Sequence, residues 1–549
     1  MVTNAMKTIK NRTDAGGESL ARAGVLTRNR RLRIIVPGYP AFNIYSTVAK
    51  RTTALGPVSV ATVVNKMDGW DAEVVDENNT GFYGPRLPDG RVDHEAIQNQ
   101  RPADIIGVYG GLTSTVPRLY EIVKFYKQKD LPVIAGGQHF VSENIAEALK
   151  MGIDYVVLNE GEGTVKELLR ALETNASVAD IRGIAYRGAN GEMITTPARE
   201  PIEDFDMLPY PDFSLVRYAK LNYYPVGRVR GCGMDCEFCT VRGKPRNATP
   251  ERLLENIRYL VETRDARHFF IVDDLFGQYR DETVRFCGML REYQEQIGRS
   301  IDITVQIRLD KAKDTELLKA MRQASITTVC IGFESPIEEE LKAMNKRVRP
   351  QEMIELARTY HRFGFLVHGM FIFGYPLKEP VSAVNLSVGE RVRRFKRFFR
   401  EAKIDTVQVL LPVPLPGTEL RQRLQAKNRI YPLQDIGWEY YDGNFPLFEP
   451  DAPLTAQELQ KAIRKIMGEF YRFRSMFFIG LHIFSFPALV FSFNDWRAGW
   501  NKWYRPWRNN IVRFLGWVVI KGWTTEFKKG VFSDKLHQAQ DRLSSRNAR

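Results

Sequence analysis

The sequence predicts an α/β protein: a Rossmann-like doubly wound domain, then a partial (β/α)6 barrel, then a helical, aromatic-rich C-terminal region. Three observations predict it. Short β-branched runs alternate with helix-length segments over residues 31–175, and the alternation resumes over residues 223–440. Glycine turns or polar residues close most of these runs. Past residue 440 the strand signal stops, and aromatic and basic residues take over. At 549 residues the chain exceeds what one core can bury, so several domains are expected.

Residues 1–30 carry Lys7, Lys10, Arg12, Arg22, Arg28 and Arg30 but no apolar run, and read as a flexible basic tail rather than a secretory signal. In the first domain, Arg33–Val36, Ala72–Val75, Ile105–Tyr109, Pro132–Ala135 and Tyr155–Leu158 read as strands. Pro117–Gln128 and Ser142–Met151 read as helices between them. In such a sheet, ligands bind beyond the carboxyl ends of the strands. The turns expected there are Gly110–Thr115, Gly136-Gly137-Gln138-His139 and Glu160-Gly161-Glu162-Gly163. Residues 176–222, with the proline-punctuated run Asp204–Asp212, read as a linker.

The region 223–440 supplies the barrel. Tyr224–Val229, His268–Val272, Ile303–Ile307, Thr328–Ile331, Leu366–Phe373 and Thr406–Leu410 read as its strands. Thr249-Pro250 has the N-cap and first-turn pairing of a helix running to Glu262, and Asp281–Ile297 reads as another. Polar residues interrupt or close the apolar runs: Asp273-Asp274, Gln306, Arg308, Glu334-Ser335 and His368. Functional groups are expected at the C-terminal ends of such strands.

The most specific motif follows the first of these strands. Cys232, Cys236 and Cys239 have the spacing C-x3-C-x2-C, with Phe238 before the last. Three thiolates on one loop can hold three irons of a cubane cluster and leave the fourth open for a ligand. Structural zinc prefers four ligands in paired sets, and no fourth Cys or His lies nearby in sequence. Cys287 and Cys330 are isolated and read as buried free thiols. Five cysteines with no paired framework suit a reducing, cytosolic setting.

This loop resembles the signature of the radical S-adenosylmethionine (SAM) superfamily, and the resemblance extends over 223–440. It implies a [4Fe-4S] cluster on Cys232, Cys236 and Cys239, and reductive SAM cleavage that ends in removal of hydrogen from an unactivated carbon. It places Asp273 at the SAM amino group and Glu334 and Ser335 at the ribose. Arg308 suits the SAM carboxylate, which a guanidinium grips bidentately. Each has a plain alternative: Asp273 and Asp274 could cap a helix, and Glu334 could pair with Lys342 or Lys346. His368 is the candidate catalytic group or a satisfied core histidine. The first domain looks like the cobalamin-binding domain that precedes many such cores. The family's D-x-H-x-x-G motif is matched at Asp76–Gly81, but Asn78 stands at the histidine, and an amide is a poor cobalt ligand. By this resemblance Asn78, Ser114, Thr115, Gly136 and Gly137 surround cobalamin. The alternative is a sheet that only packs on the barrel. His139 reads as a turn residue.

The run Gly389–Arg400 alternates arginine and phenylalanine at helical spacing, as an outer barrel helix or a membrane-facing one. Residues 441–549 are expected to be helical and membrane-associating. Thr455 is the expected N-cap of a helix from Ala456 to Arg474. Ser475–Phe493 is 19 residues without charge, broken by Pro487. Trp496, Trp500, Trp503, Trp507, Trp517 and Trp523 follow, interleaved with Arg497, Lys502, Arg505, Arg508 and Arg513. Tryptophan with arginine favours the headgroup level of a bilayer, so a monotopic or re-entrant element is expected. A single span, a buried helix closing the barrel and an RNA-stacking surface are the alternatives. Of the net charge of +14, residues 455–549 carry +11 and residues 1–33 carry +6, which leaves the middle slightly acidic.

Together these readings predict a cytoplasmic radical SAM enzyme at the inner face of the membrane. It would methylate an unactivated carbon of a hydrophobic small molecule such as a lipid, isoprenoid or porphyrin. A flavodoxin- or ferredoxin-type electron donor is the expected protein partner, and nucleic acid is not expected. Oxidative cyclisation, RNA modification and a non-enzymatic iron–sulfur or cobalamin sensor are the competing readings.

Overall fold

A computed structural model describes residues 29–44, 46–241, 243–378, 386–475, 477–478, 496–527 and 531–547. The first sheet has the strand order β7-β6-β5-β4-β3-β1-β2-β8. Its strands are β1 (Arg30–Val36), β2 (Trp70–Asp76), β3 (Ile105–Tyr109), β4 (Val133–Gly136), β5 (Tyr155–Val157), β6 (Ile184–Arg187), β7 (Met193–Thr195) and β8 (Val216–Arg217). β1 to β5 and β8 are parallel, whereas β6 and β7 run antiparallel. The central strands are buried on both faces, as helices on both sides demand, and the charge buried at the middle of β1 is matched by that at the middle of β2, Arg33 pairing with Glu73 at 2.8 Å.

The expected linker is therefore corrected. Residues 176–222 add three strands to the first sheet, two at one edge and one at the other. Phe213 then packs edge-on against Tyr224, at 5.4 Å between centroids, and fuses this sheet's core to the barrel's.

The short strands β9 (Tyr224–Val226), β10 (Val229–Arg230) and β11 (Arg246–Asn247) come next. Then follow β12 (His268–Phe276), β13 (Asp302–Ile307), β14 (Ile326–Glu334), β15 (Leu366–Ile372) and β16 (Thr406–Leu410). Six of these form one all-parallel arc, β16-β15-β14-β13-β12-β9. Burial alternates along it. Ile271, Val305, Val329, Val367 and Val407 are sealed against the outer helices. Phe270, Thr304, Cys330, His368 and Gln408 are half-buried or exposed on the inner face.

The C-terminal region wraps both domains. Thr455 and Glu458 form a reciprocal capping box on helix Ala456–Phe470. That helix stops four residues short of the expected Arg474, because Tyr471 turns extended and plugs the free edge of β16. Val407 N–H donates to the phenol at 2.9 Å, and the phenol donates to Val407 O at 2.7 Å. Helix Trp496–Phe527 lies against the same edge. Arg513 donates to Ile404 O and Asp405 O, each at 3.1 Å, and Ile520 and Trp523 are buried. Trp523 and Arg513 thus belong to the barrel's packing, not to an interfacial belt. Helix Val531–Asn547 returns to the first domain, burying Phe532, Leu536 and Leu543 in a core shared with Ile35, Ile106 and Ala135. Residues 1–28 and most of the uncharged run 475–493 lie outside the described residues. Among the described residues no helix is long and apolar enough to cross a membrane.

Candidate functional site

The cysteine loop leaves β10 at the carboxyl edge of the arc and is held from every side. Asp273 Oδ1 accepts from the N–H of Arg228 at 2.6 Å and of Val229 at 2.9 Å. Asp274 Oδ2 accepts from Gly231 N–H at 2.7 Å. Gly231 adopts φ 90°, and a Cβ there would lie 2.7 Å from Lys244 O, so only glycine fits. Beyond Cys236, Glu237 is buried and accepts from Tyr375 Oη at 2.6 Å and from Arg423 Nε at 2.7 Å. Asn345 Nδ2 reaches Asp235 O at 2.9 Å. The main chain of the loop is thus fixed before any ligand arrives, and Glu237 is an anchor that sequence reasoning missed. Its only signal was a carboxylate inside the motif.

The donor set fits an iron–sulfur cluster: three thiols on one short loop, with the Lys346 ammonium beside Cys236 and Cys239 to offset thiolate charge. Among the described residues no three His, Cys, Asp or Glu side chains converge as ligands of a single ion. Lys346 also pairs with Glu334 at 3.0 Å. Glu334 holds φ 61°, costly for a residue with a Cβ, and Gly332 leaves space for its carboxylate, which lies 2.4 Å from where a Cβ would sit.

The remaining expected SAM contacts separate. Asp273 shares the buried phase of β12 with Phe269 and Ile271, and both its neighbours in the loop use one oxygen. Burial pushes its carboxyl up to about 6. It therefore sits as a positioning group under the loop, and Asp274 is the carboxylate on the inner face. Neither caps the next helix, whose N-cap is Tyr279. Arg308 lies beside the loop, its Nη1 3.4 Å from Met234 Sδ, and is paired with Asp310 at 2.7 Å. Ser335 is fully buried and bonded to Glu340, which turns it away from the open rim. His368 faces the inner side of the arc, laterally next to Cys330 and Thr406. Its Nδ1 lies 2.9 Å from Thr406 Oγ1, and burial holds the imidazole below the usual histidine range, so it is neutral at physiological pH. Cys330 is half-buried on that same face, whereas Cys287 is fully buried as expected.

A cavity of about 670 Å³ runs between the two domains. Its first-domain wall is Thr52–Pro57, Tyr109 and Gly136–Gln138; its barrel wall is Gly227–Arg230, Asn256, Val272 and Asp274. Gly137 has φ 125°, and a Cβ there would sit 2.6 Å from the Gly110 carbonyl carbon, so this position requires glycine. The wall is mostly apolar, with backbone and small side chains exposed, as a large amide-rimmed ring with a nucleotide tail would need. Arg230, in the cavity wall, and Arg246 behind it brace two other wall residues. They pair with Glu160 at 3.1 and 3.0 Å, and both stack on Phe205.

Asn78 is absent from this cavity's walls. Its amide is spent on Tyr39 N–H at 2.9 Å, Pro37 O at 3.2 Å and Asp76 Oδ1 at 2.8 Å, which tie β1's end to β2's. The loop after β1 takes the place expected of Asp76–Gly81. Ser114 and Thr115 are buried in a tight turn and do not border the cavity either. His139 is a buried turn residue, packed edge-on against Trp438 at 5.0 Å and pushed down to about 4 by burial, with Arg421 adding to the effect.

Residues 227–386 match the Radical SAM superfamily, and residues 44–169 match the B12 binding domain. An uncharacterized methyltransferase of Pyrococcus horikoshii is 29% identical over 67% of this chain and 78% of its own length. An anaerobic magnesium-protoporphyrin IX monomethyl ester cyclase of Rubrivivax gelatinosus is 24% identical over 69% of this chain and 67% of its own. The hopanoid C-2 methylase of Rhodopseudomonas palustris is 26% identical over 55% of this chain and 54% of its own. Among solved structures, the cobalamin-dependent SAM radical enzyme OxsB with aqua-cobalamin bound superposes with a TM-score of 0.61. That match covers 94% of this chain and 84% of OxsB at 14% identity, a likeness of fold.

Proposed function

For this chain, a radical SAM enzyme with a B12-binding domain whose cofactors are a [4Fe-4S] cluster, SAM and cobalamin, we propose methyl transfer to an unactivated carbon of a hydrophobic, membrane-resident small molecule. The observation that carries this reading is the shared cavity. One wall is the ligand-binding edge of the B12 domain, and the other is the strand that leads into Cys232. Bound together, the cofactors supply hydrogen abstraction and a methyl group. The chain's own residues hold the cysteine loop rigid, brace Glu160 and Phe205 of the cavity wall with Arg230 and Arg246, and line the inner face with His368, Met370 and Gln408. His368, held by Thr406 and kept neutral by burial, presents an uncharged imidazole to the lumen.

A lipid, isoprenoid or porphyrin is the substrate class supported by the surface as well as by the relatives' names. Phe473, Phe477, Leu515 and Val518 are each half exposed or more. Phe473 packs on Trp517 at 5.1 Å, and Lys521 lies over that indole at 5.2 Å. Exposed aromatics rimmed by cations suit the headgroup level on the inner face of a membrane. Helix Val388–Glu401 is an outer barrel helix: Phe395, Phe398 and Phe399 are buried. Its outward arginines border a groove of about 1050 Å³, in which Arg397, Arg400, Lys461 and Lys465 make no ion pair among the described residues. That groove offers an acidic flavodoxin- or ferredoxin-type donor a complementary face.

The test uses protein made anaerobically with cobalamin supplied. Iron, sulfide and cobalt are counted on one sample, and membrane lipid extract is then incubated with methyl-deuterated SAM. Label in an extracted lipid supports the proposal. Cobalt uptake without label, but with loss of hydrogen from a porphyrin ester, would favour cyclisation, the reading the Rubrivivax relative suggests.

A further inference from the structure

The cysteine loop comes to the surface between its first two cysteines. Gly231, Cys236 and Glu237 are buried, whereas Gly233 and Asp235 are exposed. Two neighbouring segments frame this window. On one side Gly233 N–H donates to Gly243 O at 3.1 Å, which brings the exposed Lys244 alongside. On the other, Asn345 Nδ2 donates to Asp235 O at 2.9 Å, and its Oδ1 accepts from Lys378 Nζ at 2.7 Å. The exposed Lys427 donates in turn to Lys378 O at 3.3 Å. Lys244, Lys378 and Lys427 make no ion pair among the described residues, while Lys342 and Lys346 are matched by Glu338 and Glu334. Three unmatched ammonium groups thus stand against one exposed carboxylate, that of Asp235.

Tunnelling slows exponentially with distance, so an electron has to be handed over where little protein separates its donor from the thiolates. Cys236 directly follows the exposed Asp235, and the window is such a place. The groove on the outer helices is lined by no residue of the cysteine loop, so its charge draws a donor without bringing it to the thiolates. Electron-transfer partners also meet through small faces, steered by opposite charge. We infer that an acidic one-electron donor protein docks on the window ringed by Lys244, Lys378 and Lys427 and reduces the cluster there. The inference rests on the radical SAM reading. With a flavodoxin as donor, one electron leaves the anionic flavin hydroquinone, which becomes the neutral semiquinone. That electron lowers the charge state of the cluster by one, and no proton moves.

The test takes two readings on the full-length, cluster-loaded chain. One is the dissociation constant of an acidic bacterial flavodoxin, by calorimetry at low ionic strength. The other is the rate at which flavodoxin hydroquinone bleaches the cluster absorbance in anaerobic stopped flow. The double variant Lys244→Glu, Lys378→Glu should bind about tenfold more weakly and be reduced more slowly in proportion. Dithionite, a small donor, should reduce it at the wild-type rate, and its iron content should be that of wild type. Lys427→Glu, set back from the loop, should weaken binding in the same direction and keeps a readout if the double variant loses its cluster. Arg397→Glu with Lys461→Glu, in the groove, should cost less than the window pair. Added salt should weaken binding to the wild type more than to the window variant. Window variants that bind flavodoxin and accept its electron as wild type does would overturn the assignment, as would a larger loss from the groove pair. So would a wild type whose cluster dithionite reduces but which binds neither flavodoxin nor an acidic ferredoxin. A wild type with no dithionite-reducible cluster would refute the cluster itself, and the inference with it.

Discussion

The cysteine loop and the cobalamin-side cavity lie within one stretch of chain of each other, yet they are built on opposite plans. The loop is fixed by charge: Asp273, Asp274 and Glu237 take its N–H groups or clamp its flanks, with Arg423 and Tyr375 behind them. The cavity is fixed by shape: glycines, apolar strand faces and few directed polar atoms. A metal cluster needs three thiols at set points, whereas a large ring needs room and a close backbone. Lost anchors should therefore cost the loop its metal, and added atoms should cost the cavity its ligand.

The largest effect breaks the two apart outright. Cys236→Ala should remove the cluster, with iron falling from about four per chain to a trace, while cobalt uptake persists on the same sample. Next, Glu237→Gln leaves Arg423 paired to a neutral amide in a buried site. It should destabilise the chain by about 3 kcal/mol in urea unfolding and lower iron loading more than cobalt loading. Gly137→Ala is the mirror experiment. Its Cβ would meet the Gly110 backbone at 2.6 Å, and the φ of 125° is hostile to alanine. Roughly 2 kcal/mol of stability and most of the cobalamin binding should go, with iron unchanged. Equal loss of both cofactors in either variant would break the comparison.

A pH series sharpens it. Burial opposes ionisation of Glu77, but hydrogen bonds from His94 and Arg118 win and hold its carboxyl at about 2. A carboxyl held below its ordinary 4.5 contributes stability above that pH and loses it as pH falls toward 2. Unfolding midpoints of the wild type should therefore fall across that window more steeply than those of Glu77→Gln. The smallest effect is expected from Asn78→His. Because Asn78 is committed to Tyr39, Pro37 and Asp76 and borders no part of the cavity, the visible spectrum of bound cobalamin should not change. A shift to a histidine-ligated spectrum would put the cobalt where the motif, rather than the cavity, places it.

Much of this was legible in the residues. Most barrel strands announced themselves by an apolar run that a polar residue interrupts or closes, and the cysteine spacing marked the loop. What misled was local likeness without topology. Asp76–Gly81 matches a motif but sits at the end of β2, beside the cavity and not in it. The strands of 176–222 are two to four residues long, too short for periodicity to register, and two gain their partners across a hairpin. Ser335 and Asp273 follow the right strands, but they are buried away from the inner face, Asp273 by its phase on β12 and Ser335 by its bond to Glu340.

Tyr471 has a consequence for anyone shortening this chain. A six-stranded arc that never closes keeps a raw margin at β16, and the phenol is the bolt across it. Removing the tail beyond Phe470 to free the protein of its oily segment would draw that bolt and strip away Arg513, Ile520 and Trp523 together. The unpaired strand would then be open to any extended chain that met it, its own copies first. The part of the molecule that looks most like a detachable anchor is what keeps the barrel from sticking to itself.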